Sequence, residues 1–371
     1  MRRVRQLRGW LLAGRRSRLR ERGRLIAAVL EGSWRDPPPA LALSTAELGE
    51  IGPLLLATGA AGLAWRRVRA SSGLEPSPAV ERLRHAFRAH VLESAVHAHQ
   101  LGEVTALLRA AKVPVLVGKG WAIARLYPEP GLRPYGDLDL YVTPQAYAAA
   151  LAALRRPAVP PGPVDLHLGF ADLDDLGGET ALFARSRTAA LHDVEVALFG
   201  PEDHLRLLCL HALRHGLSRP LWLCDVAVAL ESRLEVLDWD RILGGNRRRA
   251  KAVAWTIGLA HELLGARVEG TPVAGCRLAS WLVPAVLRQW GSGSGWREPM
   301  ASFLRRPRGA LAELRKHWPN PIEATVGVRA PFDDFPRLPF QVAFAAVRGA
   351  RFGFRLPAEL WRSIGLRRVP S

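Results

Sequence analysis

Two aspartates separated by one residue, Asp137 and Asp139, stand in the stretch Gly-Asp-Leu-Asp-Leu-Tyr-Val. If this stretch is a strand, residues i and i+2 point to the same face, so the two carboxylates lie together while Leu138 and Leu140 face the other side. Two like charges this close repel each other in a partly desolvated site unless one is protonated or a cation lies between them. A hard divalent ion such as Mg²⁺ suits an all-oxygen pair of this kind.

The stretch Val-Asp-Leu-His-Leu further along the chain repeats this alternation. Asp165 and His167 share one face of the predicted strand, and Leu166 and Leu168 share the other. If this strand lies beside the first, Asp165 becomes a third carboxylate in the same cluster. Three carboxylates on neighbouring strands can hold two metal ions, which stabilise the attacking and leaving oxygens of a phosphoryl transfer. The alternative is a solvent-facing strand with ordinary surface charges and, for His167, a satisfied core histidine.

A turn with two glycines, Gly118-Lys119-Gly120, lies between a short apolar run and a helical stretch. Backbone N–H groups and a helix N-terminus at such a turn can hold a triphosphate. The spacing is not that of a P-loop. Lys119, one of four lysines in an arginine-rich chain, and Arg133, close before the aspartates, are predicted to contact phosphate. For Lys119 the alternative is a turn lysine in solvent.

His211 and His215 are four residues apart on a predicted helix and therefore share one face. This spacing chelates zinc in the HExxH enzymes, but the intervening Ala-Leu-Arg provides no general base. A structural or pocket-lining role is therefore the favoured interpretation. Asp225, in the stretch Trp-Leu-Cys-Asp-Val-Ala, has three candidate roles: a buried cap, a polar contact between helices, or a substrate contact.

The elements that must position these residues follow from the hydrophobic periodicity. Apolar residues recur at three- and four-residue steps before residue 111 and again after residue 200, which predicts helices. Short alternating or β-branched runs lie between them and predict four strands, so the expected class is α+β. The predicted segments are an Arg-rich flexible arm (1–40), an N-terminal helical region (41–110), a core with the strands (111–200), a helical domain (201–290) and a basic mixed region (291–371).

The formal net charge of +18 would suit a partner rich in phosphate, since Lys and Arg neutralise phosphates in nucleic-acid complexes. Nearly all the basic residues are arginine, however, a bias that GC-rich coding also produces, so nucleic-acid binding stays open. Ten arginines and one glutamate fall within the first 24 residues. Three cysteines show no paired spacing, which favours a reducing cytoplasm. The longest apolar stretch has about 14 residues, too few for a membrane span.

Several motifs occur in a specific order: VGKG, then ARLYPEPGLRPYGDLDLYV, then PVDLHLGF, and later PEDHLRLLCLHALRHGL and LDWDRIL. In this order they resemble the bacterial uncharacterised nucleotidyltransferase family of the polymerase-β-like nucleotidyltransferase superfamily. The resemblance covers roughly residues 45–270 and implies a small mixed sheet with flanking helices as the catalytic core. It also implies Asp137, Asp139 and Asp165 as metal ligands and Gly118 to Gly120 as the nucleotide turn.

The resemblance further implies an activity. Such a protein would bind a nucleoside triphosphate, with ATP expected, together with two Mg²⁺ ions or with Mn²⁺ in their place. It would transfer the nucleotidyl group to a hydroxyl of an unidentified peptide, protein or sugar, and Asp165 would help to deprotonate that hydroxyl. Two alternatives stay open. One is an inactive scaffold of the same fold that binds a protein partner, and the other is an RNA nucleotidyltransferase, which the basic charge favours.

Overall fold

The computed structural model describes residues 2–71, 74–155, 164–174, 176–232, 236–293 and 318–365. Within these ranges the chain forms fourteen helices and one five-stranded sheet, which confirms the predicted α+β class. The proline-rich segment 156–163, and residues 294–317 of the predicted basic C-terminal region, lie outside the described residues.

Four of these helices precede the sheet, three lie between its strands and seven follow it. The first group is α1 (Arg2–Leu30), α2 (Thr45–Ala57), α3 (Ala61–Arg69) and α4 (Pro78–Ala110). The second group is α5 (Lys119–Ala124), α6 (Pro144–Leu154) and α7 (Gly178–Ala184). The third group is α8 (Pro201–Arg214), α9 (Pro220–Glu231), α10 (Trp239–Ile242), α11 (Arg247–Leu264), α12 (Leu282–Ser292), α13 (Pro321–Gly327) and α14 (Leu338–Gly365).

The sheet has the strand order β3-β2-β1-β5-β4. Its strands are β1 (Leu116–Val117), β2 (Leu138–Val142), β3 (Val164–Leu168), β4 (Arg187–Leu191) and β5 (Val194–Leu198). β2 and β3 are parallel neighbours, and their register places Asp139 opposite Asp165. The expectation that the two aspartate-bearing strands lie side by side is therefore confirmed.

Alternation of polar and apolar residues predicts a half-buried strand at 137–142, but the structure buries β2 at all five positions, so this expectation is wrong. β2 lies between β1 and β3, and side chains pack on both of its faces. Leu138 and Leu140 contribute to one apolar cluster of the sheet, and Tyr141 contributes to another. The polar Asp139 is therefore held inside the protein rather than on a solvent-facing strand.

The helices that precede the sheet in the chain and those that follow it share one hydrophobic core. It contains buried residues from α1, α2, α3, α8, α9, α11 and α12. Part of the segment predicted as an Arg-rich arm (1–40) contributes to this core. Residues Arg2–Leu30 form helix α1, and Ile26, Val29 and Leu30 in its second half are fully buried. These apolar residues share one helix face between the arginines, a pattern that composition alone does not show.

Helix α1 packs closely on α12 because a glycine stands at each side of the crossing. A Cβ added to Gly23 would lie 2.1 Å from the Leu287 carbonyl oxygen, and one added to Gly291 would lie 1.9 Å from that of Leu19. Neither distance is sterically allowed, so larger residues would force the helices apart.

Side-chain caps fix the beginnings of the helices that flank the site. Ser44 and Glu47 form a capping box at α2. Ser77 caps α4 and Thr143 caps α6, each followed by a proline at the first helical position. No helix among the described residues is both long and apolar enough to cross a lipid bilayer.

Candidate active site

The candidate site is one wall of a cavity of about 790 Å³. The turn after β1, the start of β2 and helices α4, α8 and α9 all contribute lining residues. Among the residues singled out from the sequence, those that line it are Lys119, Gly120, Arg133, Asp137, Asp139, His211, His215 and Asp225. The fold therefore gathers most of the predicted site around one space.

Asp139 is the most deeply placed carboxylate of this wall, with its side chain only 4% exposed. It forms an ion pair with the Lys119 ammonium, and its Oδ1 lies 2.9 Å from Nε2 of His167. Burial alone would raise the pKa of Asp139. The hydrogen bond with His167 and the charge of Lys119 outweigh burial and lower it. Asp139 is therefore ionised at neutral pH and depends on neighbouring cationic or donor groups.

Asp165 and His167 lie beside Asp139 on the parallel strand β3. His167 Nε2 is also 3.3 Å from Oδ2 of Asp165, whose side chain is 53% exposed. The imidazole is fixed by stacking on Tyr141, with ring centroids 4.2 Å apart and planes 11° from parallel. One ligand atom from each of Asp139, Asp165 and His167 lies within 4.8 Å of the others. Two carboxylates and an imidazole at this separation can hold a divalent cation.

Asp137 precedes β2 and lines the same cavity as Asp139. The close group of ligand atoms contains His167 and does not include Asp137. Burial raises the pKa of Asp137, and the negative charges of Asp139 and Asp165 raise it further, while Lys119 lowers it. This like-charge repulsion is the property expected from the sequence for a pair of carboxylates without a cation between them.

The glycine turn is held in an uncommon conformation. Lys119 has φ 42° and Gly120 has φ 25°, both in the left-handed region that disfavours side chains. Gly118 donates its N–H to the Asp139 carbonyl at 3.1 Å, which ties the turn to β2. A Cβ on Gly118 would lie 2.9 Å from the Tyr141 ring. The backbone of this turn can therefore approach the aspartates closely because both flanking residues are glycines.

His204, which the sequence reasoning missed, also positions the turn. The Lys119 N–H donates to Nε2 of His204 at 3.1 Å. Burial lowers the pKa of His204 to about 4, so the ring is neutral and can accept this bond. One of the N–H groups expected to face phosphate is therefore already bonded within the protein. No local signal could have revealed it, since 85 residues separate the two partners.

Arg133 and Asp225 form a buried ion pair. Arg133 Nη2 donates to Oδ2 of Asp225 at 2.8 Å, its Nε lies 3.2 Å from both carboxylate oxygens, and the Tyr127 hydroxyl donates to Oδ1 at 2.8 Å. Burial would lower the pKa of Arg133, but the Asp225 charge outweighs it and raises the pKa. Of the three roles open for Asp225, these contacts favour a polar contact that fixes α9 to the segment before β2. The contact of Arg133 with phosphate stays a prediction.

His211 and His215 pack with Trp222 on the α8–α9 side of the cavity. Their ring centroids are 4.6 Å apart and lie 5.2 Å and 5.3 Å from that of Trp222. Burial and nearby positive charges lower the pKa of His211 to about 2 and also lower that of His215, so both rings are neutral at pH 7. Among the residues that the structure describes, neither belongs to a group of three or more metal-ligating side chains.

Comparison with known proteins gives one match that covers this site. A family model described as uncharacterised nucleotidyltransferase matches residues 47–159 and 164–265, which is more than half of the chain. Every site residue described above lies within these two ranges. No curated protein and no solved structure matches the chain.

Proposed function

The chain belongs to the uncharacterised nucleotidyltransferase family, and on this basis we propose that it transfers the nucleoside monophosphate group of a nucleoside triphosphate to an acceptor hydroxyl. The hydroxyl oxygen forms a bond to the α phosphorus, the bond between the α and β phosphates breaks, and pyrophosphate leaves. Family membership confirms the resemblance drawn from the ordered motifs and supports a transferase with a nucleoside triphosphate as one substrate. ATP as that triphosphate, Mg²⁺ as the metal and a peptide, protein or sugar as the acceptor are parts of the proposal.

One observation carries this proposal. Asp139 and Asp165 stand opposite each other on parallel strands, with His167 between their oxygens and the Gly118–Gly120 turn beside them. Like-charged groups are gathered here at a cavity wall, where a purely structural arrangement would separate them. Such strained clusters of carboxylates are typical of sites that bind cations and phosphates.

The donor set fits a divalent cation. Asp139 and Asp165 would hold Mg²⁺ or Mn²⁺ through carboxylate oxygens, with Asp137 as the expected further ligand and His167 as a neighbour of both. When bound there, such a cation supplies stabilisation of the negative charge on phosphate oxygens. An imidazole among the close ligand atoms suits Mn²⁺ as well as Mg²⁺, so both metals belong in the test.

The protein's own groups then divide the remaining tasks. Asp165 is the more exposed carboxylate and takes the proton of the acceptor hydroxyl at a carboxylate oxygen. Lys119 offers an ammonium beside Asp139, where it can contact a phosphate oxygen. The neutral His211 and His215, with Trp222, form an uncharged wall against which the nucleoside end of the substrate can lie.

The experiment that tests this function is label transfer from two forms of ATP. The protein is incubated with Mg²⁺, a cell extract as the source of acceptor, and ATP labelled at either the α or the γ phosphate. Label that moves from the α position alone demonstrates nucleotidyl transfer. Transfer from the γ position would show a kinase, and absence of transfer with all four nucleoside triphosphates, under Mg²⁺ and under Mn²⁺, would favour the inactive scaffold.

A further inference from the structure

A second large cavity, of about 680 Å³, lies away from the candidate site near the start of α11 and the end of α13. It shares no lining residue with the 790 Å³ cavity. Four of its lining residues are arginines: Arg214, Arg248, Arg249 and Arg329. We call this space the arginine cavity. The nucleotide and metal chemistry described above uses none of them.

Two of the four arginines have carboxylate partners. Arg214 forms an ion pair with Asp172, and Arg249 forms one with Asp174. Each of these pairs is close to electrically neutral, so they add little net charge to the cavity. They nevertheless hold two guanidinium groups at its wall.

The other two, Arg248 and Arg329, form no ion pair within the part of the chain that the structure describes. Arg248 Nη2 donates to the carbonyl oxygens of Thr325 at 3.3 Å and Ala330 at 3.5 Å, which are long bonds. Its Nε is buried and has no hydrogen-bond partner. The cavity therefore carries two positive charges that no described carboxylate balances.

The two unbalanced guanidiniums also act on each other. Burial lowers the pKa of Arg248, and the positive charge of Arg329 lowers it further. Repulsion of this kind disappears when an anion lies between the two groups. A planar guanidinium fork matches the oxygens of a phosphate and binds them through two charge-assisted hydrogen bonds.

A small slot of about 110 Å³ has lining residues in common with both the arginine cavity and the 790 Å³ cavity. The slot shares Lys119 and His211 with the large cavity, and it shares Asp172 and Arg214 with the arginine cavity. His167, beside Asp165, also lines the slot. The arginine cavity therefore neighbours the candidate site on the side of His167 and Asp165, where the acceptor hydroxyl is expected.

We propose that the arginine cavity binds a phosphate group of the acceptor, which would be a small phosphorylated molecule that carries a free hydroxyl. The proposal that Arg248 and Arg329 bind phosphate depends only on the charges and geometry of the cavity. The proposal that this phosphate belongs to the acceptor rests on the proposed nucleotidyl transfer.

Phosphate binding is tested without any catalytic readout. Phenylglyoxal modifies exposed arginines, and peptide mass spectrometry measures the rate at each one, with inorganic tripolyphosphate as the probe and EDTA present. Arg329 is exposed, and Arg82, which is exposed on α4, serves as the control. Bound probe should slow the modification of Arg329 by about tenfold at a free concentration of about ten Kd and leave Arg82 unchanged.

The variant Arg248→Gln should abolish this protection, whereas Arg82→Gln should keep it. Arg329→Asn provides a second test, because asparagine tolerates the positive φ of 55° at this position. Calorimetry should show that this variant binds tripolyphosphate more weakly than wild type does. Equal protection of Arg329 and Arg82, or unchanged protection in Arg248→Gln, overturns the site. If a short single-stranded RNA protects both arginines in a salt-dependent way and tripolyphosphate protects neither, the surface binds RNA instead.

The link to the acceptor has its own experiment. The extract that supports label transfer from α-labelled ATP is treated with phosphatase, which is then removed before the assay. A loss of transfer of at least about tenfold, against a mock-treated extract, is expected, and an unchanged rate overturns the assignment to the acceptor. If even untreated extract accepts no label, the proposed function fails, and the arginine labelling alone decides phosphate binding.

Discussion

Two buried aspartates, Asp225 and Asp139, line the same cavity, and each pairs with a different kind of basic side chain. Asp225 is fully buried, and three donor atoms hold it: the Nε and Nη2 atoms of Arg133 and the hydroxyl of Tyr127. Asp139 is almost as deeply buried but is paired with a flexible lysine and with a histidine that it shares with Asp165. Burial and charge are similar at the two positions, and the rigidity of the partners differs.

Under the proposed function, this difference separates a structural charge, Asp225, from a functional one, Asp139. A planar guanidinium that is bonded through two nitrogens keeps its geometry and fixes the elements that carry it. A lysine on a four-carbon stem can leave its carboxylate when a phosphate offers a better contact. The like-charged neighbours Asp137 and Asp165 also leave an excess of negative charge around Asp139, which a bound cation would balance. A buried ion pair alone therefore does not indicate function; its neighbours do.

The largest effect is expected at Asp225. Asp225→Asn leaves the Arg133 charge buried without its counter-charge, which costs about 3–5 kcal/mol of stability. The free energy of unfolding, measured by urea denaturation, checks this. Asp193→Asn, at the exposed β4–β5 turn, is the matched control and should stay within about 0.5 kcal/mol of wild type. If Asp225→Asn were as stable as wild type, the structural role assigned to Asp225 would be wrong.

Substitution of Asp139 is expected to reduce the activity more than the stability. Asp139→Asn keeps the shape of the side chain and removes the charge, so label transfer from α-labelled ATP should fall by about 10²–10³-fold. Its unfolding free energy should change by less than that of Asp225→Asn, because Lys119 can turn toward the cavity. Rates and unfolding curves of the same preparations give both numbers. Full activity of this variant would remove Asp139 from the site.

Arg133 decides between a structural role and the predicted phosphate contact. Arg133→Lys retains the positive charge and loses the two-nitrogen geometry, so stability should fall by about 2 kcal/mol. The KM for ATP of the folded enzyme should stay close to that of wild type. A raised KM with unchanged stability would instead assign Arg133 to the phosphates.

The smallest effect is expected at Asp137 and depends on pH. Its pKa is raised in the folded protein, so the ionised form is less favourable there than in the unfolded chain, and the folded state binds more protons. Stability should therefore fall as pH rises through the window from the unfolded to the folded pKa. Asp137→Asn, melted in EDTA, should have a slightly higher Tm than wild type at pH 7, and the gain should vanish below the ordinary aspartate pKa. A lower Tm at pH 7 would contradict the like-charge account.

The sequence predicted what depends on local pattern. The alternation in Asp-Leu-Asp-Leu and Val-Asp-Leu-His-Leu placed Asp139 and Asp165 on strands, and parallel pairing brought them together. The glycine turn was visible in the sequence because a glycine is required beside Tyr141 and is favoured at the positive φ of Gly120. These features are set within a few residues, so period and residue type are enough to find them.

Contacts between distant segments could not be found in this way. The Arg133–Asp225 pair joins residues 92 apart, and the His204 contact with the turn spans 85 residues. The packing of α1 against α12 depends on a crossing of two helices that are far apart in the chain. Arginine content alone does not show the apolar face of α1, which is buried only when its partner helices pack against it.

Manganese binding tests the central claim most directly, namely that Asp139 holds a metal while Asp225 holds the fold. The electron paramagnetic resonance signal of free Mn²⁺ is followed during titration into wild type, Asp139→Asn, Arg133→Lys and Asp193→Asn. Wild type, Arg133→Lys and Asp193→Asn should bind with similar affinity, and Asp139→Asn should bind at least about tenfold more weakly while remaining folded. Equal binding by wild type and Asp139→Asn would contradict the account.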